Sequence, residues 1–461
     1  MNPAAASGRA AAGPRRSLLV SDAVAVVVGT VVGSGIFFMP SLVAANTPNG
    51  ATMLGVWIVG ALIAMAGALC YAELAAAYPD AGGDYFFLGR AFGPEIGLLF
   101  GWARMTVIQT GAIAAAAFIA GNYLSVSAPL GRWSPAIYAA VIVIALTGLN
   151  LAGLRFGKAV QMLLAGSVTA GLVLVAVAGF WARSGVPTPV PTAPVNAAGF
   201  GAIGLAMIFV LYSFGGWNEA AYFSAEMGGS RRNIASALLI GVGLVAVIYV
   251  VANAAFLNGL GHAGMAGSEA VAVDLLGKTL GSGSAAAVGL LVVIAVLGTV
   301  NASILTGARS NYAIARDFPS LFGWLGGWKV ETGVPARALI VQAGITLVLI
   351  GGSLAFGNGA DGVEAMVAYT APAFWFFFFL SGLAVMVLRA WDAGHPRPFR
   401  VPLFPLVPFL FCLVCLWMLC SAVVYAGIGS LVGVAVLLAG VPLVWLSGNQ
   451  NPHKIETENT P

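Results

Sequence analysis

Long apolar runs, each of about 20 residues and broken by short polar, glycine or proline stretches, recur from Leu18 to Trp445. A helix rising ~1.5 Å per residue needs roughly 20 such residues to cross a hydrocarbon core about 30 Å thick. On that template the chain is an all-α integral membrane protein with about twelve transmembrane helices. They are expected at 19–44, 52–78, 95–125, 134–154, 157–182, 198–225, 233–259, 284–312, 337–355, 364–389, 401–421 and 425–446. The first run follows an alanine-rich leader with Arg9, Arg15 and Arg16. It is too long, and too interrupted by polar residues, to be a signal-peptide core, so it reads as a retained helix.

Composition removes the soluble alternative: 60% of the 461 residues are hydrophobic and 8% charged, against about 25% charged in soluble domains. The few charges carry topology. With the N-terminus inside, one face holds Arg9, Arg15, Arg16, Arg90, Arg155, Lys158, Arg231, Arg232, Arg309, Arg316, Lys329, Arg337, Arg389, Arg397, Arg400 and Lys454, whereas Arg132, Arg183 and Lys278 fall opposite. That bias places both termini in the cytoplasm and requires an even number of spans. The net charge of +4 is therefore an orientation signal and gives no reason to expect a nucleic-acid partner. Cys70, Cys412, Cys415 and Cys420 lie in apolar runs as small hydrophobes, and His262, His395 and His453 lie in loops or the tail. No catalytic set, metal site or cofactor motif is visible, so an enzyme is not expected.

Two stretches depart from the apolar pattern. Gly29-Thr-Val-Val-Gly33-Ser34-Gly35 places three glycines and a serine midway along the first run, and each glycine weakens a helix by about 1 kcal/mol relative to alanine. Tyr212-Ser213-Phe214-Gly215-Gly216-Trp217-Asn218-Glu219 does the same midway along the sixth, with an amide and a carboxyl at membrane depth. Either stretch alone reads as close helix packing through small residues. Interruptions at corresponding places in two halves point instead to a transporter binding site. A helix restarting after Gly35 offers free N–H groups and its positive end to a carboxylate, with Gly33 and Gly35 letting the ligand reach the backbone and Ser34 adding a hydroxyl. The sixth helix stopping near Gly215 offers carbonyls to an ammonium group. An amino acid, with both charges on one carbon, matches the two ends together.

The motifs Gly33-Ser34-Gly35-Ile36-Phe37, Tyr71-Ala72-Glu73-Leu74, Tyr78-Pro79-Asp80-Ala81-Gly82-Gly83-Asp84-Tyr85, Gly215-Gly216-Trp217-Asn218 and Gly298-Thr299-Val300-Asn301 resemble the amino acid-polyamine-organocation (APC) superfamily. Within it they are most similar to the L-type amino-acid transporters and their bacterial relatives, over about Ser21 to Pro319. The resemblance implies a LeuT-like five-plus-five inverted repeat with discontinuous helices 1 and 6. It divides the chain into a tail at 1–17, a first half at 18–182, helices six to nine at 183–355, helix ten at 356–400, two peripheral helices at 401–446 and a tail at 447–461. It also implies that Ser34 and Gly35 donate N–H groups to the substrate carboxylate, that the carbonyls of Val31, Tyr212, Ser213 and Gly215 take the amino group, that Tyr212 walls or gates the pocket, and that Asn301 faces it.

Glu73, Arg104, Trp217, Asn218 and Glu219 are gate or selectivity candidates, since intramembrane ionisable groups are costly and usually functional. Glu73 suits an inner-gate or structural role. Arg104 either snorkels inward, pairs with an acid such as Glu73, or contacts substrate, and Glu219 either tunes selectivity or pairs elsewhere. Residues 80–94 form a gate-like connector, 262–281 a short external helix and 186–194 a plain linker. The implied function is secondary transport of L-amino acids, neutral ones foremost, in a bacterial inner membrane. Cationic amino-acid or polyamine carriage, ion-coupled symport and a non-transporting sensor stay open. Related animal transporters attach a glycoprotein through a cysteine in the loop between spans three and four; here 126–133 has none, so no disulfide-linked subunit is expected. Many members resembling this chain carry a lysine midway along the fifth span, where Val168 stands here, and 159–180 holds no ionisable residue, so exchange or facilitation without ion coupling is expected. A leucine at position 35 is expected to abolish binding and leave the fold intact.

Overall fold

The computed structural model describes residues 19–33, 35–80, 82–153, 168, 170–182, 200–281, 285–329, 334–356, 362–425 and 428–447. Among them the chain is helical throughout, with one isolated antiparallel bridge between Lys329 and Val334. The first predicted span is two helices, α1 (Val20–Val31) and α2 (Gly35–Ala45). Next come α3 (Gly50–Ala77), whose N-cap Asn49 accepts the Thr52 N–H at 2.8 Å, and the short connector helix α4 (Asp84–Phe92). The third span is α5 (Pro94–Ala103) and α6 (Gln109–Ser127) joined by a π-helical turn, Arg104–Ile108, which the apolar pattern does not announce. The chain continues through α7 (Ser134–Ala152), α8 (Ala170–Trp181) and α9 (Phe200–Ser213), then a 3-10 segment, Trp217–Glu226. The remaining helices are α10 (Arg232–Ala266), α11 (Val271–Leu280), α12 (Ala285–Asp317), α13 (Pro319–Phe322), α14 (Ala336–Phe356), α15 (Gly362–Trp391), α16 (Leu406–Tyr425), α17 (Ile428–Leu438) and α18 (Val441–Leu446).

Ten of the described helical stretches are long and apolar enough to cross a membrane, and the protein is an integral membrane protein. The shorter apolar helices α2 and α8 fall within the predicted first and fifth spans. Boundaries differ where backbone chemistry intervenes. The eleventh span begins at Leu406 instead of 401, because Pro402 and Pro405 lack the N–H a helix interior needs and push their predecessors out of helical geometry. The last span, expected as one helix, is broken at Ala439–Gly440 into α17 and α18. The predicted external helix is present as α11, packed on α12, α10 and α2. The tail 1–17, the linker 186–194, much of the predicted fifth span and the tail beyond 447 lie outside the described residues.

Core and periphery are both apolar. Val141, Ile144 and Val348 on α7 and α14 are exposed, as lipid-facing residues must be, whereas Trp57, Tyr71 and Tyr249 are fully buried. Helix α10 packs along α3 and α1, α2 lies on α9, and α6 sits against α12, α7 and α15. This arrangement brings the two interruptions face to face, with α6, α12 and α15 around them.

Candidate functional site

Helix α1 ends where Val32 donates to the Val28 carbonyl at 2.7 Å, and helical geometry resumes at Gly35; Ser34 lies outside the described residues. Helix α9 ends in a tight turn, with the Phe214 N–H on the Val210 carbonyl at 3.1 Å and the Gly215 N–H on the Tyr212 carbonyl at 2.9 Å. Gly216 then takes φ +107°, a left-handed conformation that side chains other than glycine's strain to adopt. The two breaks touch. A Cβ on Gly35 would stand 3.0 Å from the Ser213 Cα, and one on Gly216 would stand 2.9 Å from the Thr30 carbonyl oxygen. The Thr30 hydroxyl lies 3.0 Å from the Val27 carbonyl of its own helix and 3.3 Å from the Gly216 carbonyl across the junction, its single proton serving one at a time. From α10 the buried Tyr249 hydroxyl reaches both the Val31 carbonyl, at 2.7 Å, and the Ser213 carbonyl, at 3.0 Å. Its single proton serves one at a time, and each carbonyl keeps a second lone pair for a ligand.

A cavity of about 150 Å³ opens beside this junction. Its wall takes Gly29, Thr30, Val31, Gly33 and Gly35 from the first break and Tyr212, Ser213, Gly215, Gly216, Asn218 and Glu219 from the second. Thr299, Ala302, Ser303 and Thr306 of α12 form one helical stripe facing it, and Gln109, Ala112 and Ala116 of α6 another. Phe374, Trp375, Phe377 and Phe378 of α15 supply an aromatic side, and Tyr71, Asp84 and Arg104 line the end nearest α4.

Several expectations are corrected. Asn301 is not part of the wall: it is fully buried on another face of α12, where its amide oxygen accepts from the Asn150 side chain at 2.8 Å. Trp217 also lies outside the wall, its ring packed edge-on to Tyr71 at 5.0 Å and against Phe378 at 5.2 Å. Arg104 does not reach Glu73; its Nη2 donates to Glu219 at 2.8 Å, its Nη1 to the Tyr222 hydroxyl at 3.1 Å and its Nε to Ser310 at 3.0 Å. Glu73 belongs to a separate knot at the ends of α3 and α15. It accepts from Arg389 Nε at 2.7 Å, Arg389 Nη2 at 2.5 Å and the Val401 N–H at 2.7 Å, with Arg397 Nε 3.6 Å away. Nor is there space at position 35 for leucine, since the obstructing atoms of Ser213 include backbone.

The wall's other buried acid is Asp84, the first residue of α4. Tyr71 and Ser381 donate to its Oδ1, Ser381 at 3.1 Å, while the Asn218 amide and the Tyr222 hydroxyl each stand 3.3 Å from its Oδ2. Nearby, Arg90 and Tyr78 both donate to Asp392 at 3.0 Å, and the Arg90 bond above all holds that carboxyl below its ordinary range. Among the described residues no group of three or more His, Cys, Asp or Glu is placed to hold a metal ion.

The amino acid permease family pattern matches residues 18–446, nearly the whole chain. The chain belongs to the amino acid permease family of the APC superfamily. The permease is 29% identical over 407 residues to the b(0,+)-type amino acid transporter 1 of Mus musculus, covering 87% of this chain and 81% of the relative. It is 29% identical over 468 residues to the large neutral amino acids transporter small subunit 2 of Homo sapiens, covering 96% and 83%. The Asc-type amino acid transporter 1 of Mus musculus is 27% identical, covering 94% of this chain and 81% of the relative. The permease is thus an amino-acid transporter and not an enzyme.

Sequence reasoning missed Tyr249, Tyr222 and Ser381 in the permease. Each stands in a run whose neighbours are apolar or small, with no local signal that a distant break or acid needs its hydroxyl. The α12 stripe was detectable: Thr299, Ser303 and Thr306 share a helical face from which Asn301 is excluded by its register.

Proposed function

We propose that the permease moves neutral L-amino acids across a bacterial cytoplasmic membrane by alternating access, as an exchanger or facilitator, with both termini cytoplasmic. The observation that carries this reading is the direct apposition of the two breaks beside a cavity. The N-terminus of α2 turns unpaired N–H groups and a positive dipole end towards it, and the C-terminus of α9 turns carbonyls and a negative end. A zwitterion held by its α-carboxylate and α-ammonium fits both, with Gly33, Ser34 and Gly35 on the carboxylate and the carbonyls of Val31, Tyr212, Ser213 and Gly215 on the amine.

Neutral substrates are favoured by the aromatic side of the cavity, by the pairing of Glu219 with Arg104, and by the engagement of Asp84 with hydroxyl and amide donors. The similarity to a large neutral amino acids transporter is consistent with that class. Uncoupled carriage is supported by the buried, apolar Val168 and by the lack of any ionisable residue at 159–180. A five-plus-five inverted repeat accounts for breaks in the first and sixth of about twelve spans, and the asymmetry of Lys and Arg supports the orientation. The absence of cysteine at 126–133 supports function without a disulfide-linked subunit. The test is uptake by purified protein in proteoliposomes. Stimulation by internal neutral amino acid, with no accumulation driven by an imposed sodium or proton gradient, is the expected result. Concentrative uptake on either gradient overturns the uncoupled mechanism, and no uptake or exchange of any neutral amino acid overturns the substrate class.

A further inference from the structure

The least expected feature of the cavity is an ion pair buried in its wall. Arg104 opens the π-helical turn of the third span, and such a turn inserts a residue and re-aims the side chains around it. The Arg104 side chain is 3% exposed and that of Glu219 15%, their charged atoms 2.8 Å apart. The guanidinium is also held by Ser310 and by the Tyr222 hydroxyl, and it lies 4.6 Å from the centre of the Tyr222 ring. An arginine fixed by bonds to three side chains and a stacked ring does not swing aside for a ligand. Asp84, the other acid in the wall, spends its oxygens on hydroxyl and amide donors.

We propose that the Arg104–Glu219 pair is the charge filter of the substrate cavity, admitting neutral side chains and rejecting cationic and anionic ones alike. This deepens the transport reading above and rests on it. With its charge cancelled internally, the pair presents no net attraction. A cationic side chain entering beside it meets the fixed guanidinium, and an anionic one meets the Glu219 carboxylate. Neither intruder finds a compensating partner without breaking the pair or displacing the hydroxyl and amide donors that hold Asp84. Like charges forced together in a water-poor site disfavour a ligand by on the order of a hundredfold. A neutral side chain, apolar or amide, meets no such penalty, and the three N–H groups that Arg104 has committed leave two for an uncharged acceptor.

The experiment is a competition assay with the full-length protein in proteoliposomes, using a labelled neutral amino acid and isosteric competitors: norleucine against lysine, and glutamine against glutamate. Wild-type protein is expected to discriminate against both charged members by about a hundredfold. Arg104→Gln leaves Glu219 uncompensated and is expected to improve lysine relative to norleucine by about tenfold or more, with glutamate still rejected. Glu219→Gln is expected to improve glutamate relative to glutamine by a similar factor, and the reversed pair R104E/E219R to return to neutral preference. A merely structural pair would lower binding of all competitors together without changing their order. Unchanged order in both single variants, or wild-type protein that takes lysine or glutamate as readily as its neutral isostere, overturns the filter. The wild-type comparison decides alone where the variants fail to fold. Wild-type protein that takes no neutral amino acid would overturn the transport reading itself, whereas neutral uptake with unchanged competitor order would overturn only the filter.

Discussion

Replacing Gly35 with alanine adds one methyl group at the point where the two broken helices meet. That carbon would lie 3.0 Å from both the Cα and the Oγ of Ser213, whereas carbon atoms rest at about 3.5–4.0 Å. The Oγ can rotate away, but the Cα cannot, so α2 and α9 must part by roughly 0.5–1 Å. Overpacking of this kind costs about 1–3 kcal/mol. Because the same backbone is proposed to hold the carboxylate and ammonium of the substrate, the displacement also pulls its donors and acceptors out of register. If the cost falls on the bound state, affinity drops by about 5- to 150-fold, at 1.4 kcal/mol per tenfold. The assay is saturation uptake in proteoliposomes, paired with thermal unfolding in detergent. Gly344→Ala on α14 is the control, since a Cβ there meets nothing within 4 Å, and it should transport normally and melt no lower than wild type. A Gly35→Ala protein with wild-type affinity and wild-type melting temperature would refute the apposition of the two breaks as the basis of binding.

Glu73→Gln leaves the largely buried Arg389 and Arg397 without their shared carboxylate, and is expected to destabilise by about 3–5 kcal/mol in thermal unfolding, with partial recovery in the Glu73→Gln/Arg389→Gln double variant. Asn301→Ala should lower stability by about 1–3 kcal/mol by leaving one N–H of the Asn150 amide unpaired while the other stays on the Leu146 carbonyl, and KM for the neutral substrate should stay near wild type; a selective rise in KM would put Asn301 back at the site. The Asp392 carboxyl is depressed by Arg90, so its contribution is fully present above the unfolded-state value of about 3.9 and is lost as pH falls through the lower folded-state value. Melting curves of wild type and Asp392→Asn should therefore differ at neutral pH and converge on acidification below about pH 4, and a difference that widens in acid would contradict the assignment.

What could be read locally was read well. Apolar length located nearly every span, since the requirement to cross about 30 Å of hydrocarbon acts on each segment independently. The glycine clusters located both interruptions, because loss of helix propensity is also a local property. Proline chemistry at 402 and 405 was legible too, and was passed over in placing the eleventh span. Periodicity, in contrast, was nearly mute: in lipid the outward face of a helix is as apolar as the inward one, so hydrophobicity does not tell which side faces the cavity. That is why Asn301, present in a recognisable motif, is expected at a wall it does not form.

The charged residues divide along the same line. Sequence alone marked Glu73, Arg104 and Glu219 as groups that need a partner or an escape to water, because an ionisable group in hydrocarbon is too costly to leave bare. Which acid Arg104 meets was decided only by the fold: Glu219 lies 115 positions along the chain, brought to 2.8 Å by the π-turn on one side and the Gly215-Gly216 break on the other. The Tyr249 hydroxyl that ties Val31 to Ser213 is the same kind of fact. Membrane insertion depends on the sum of local transfer free energies, so the sequence carries it openly. The identity of a buried partner depends on distances between segments remote in the chain, and those exist only once the helices have packed.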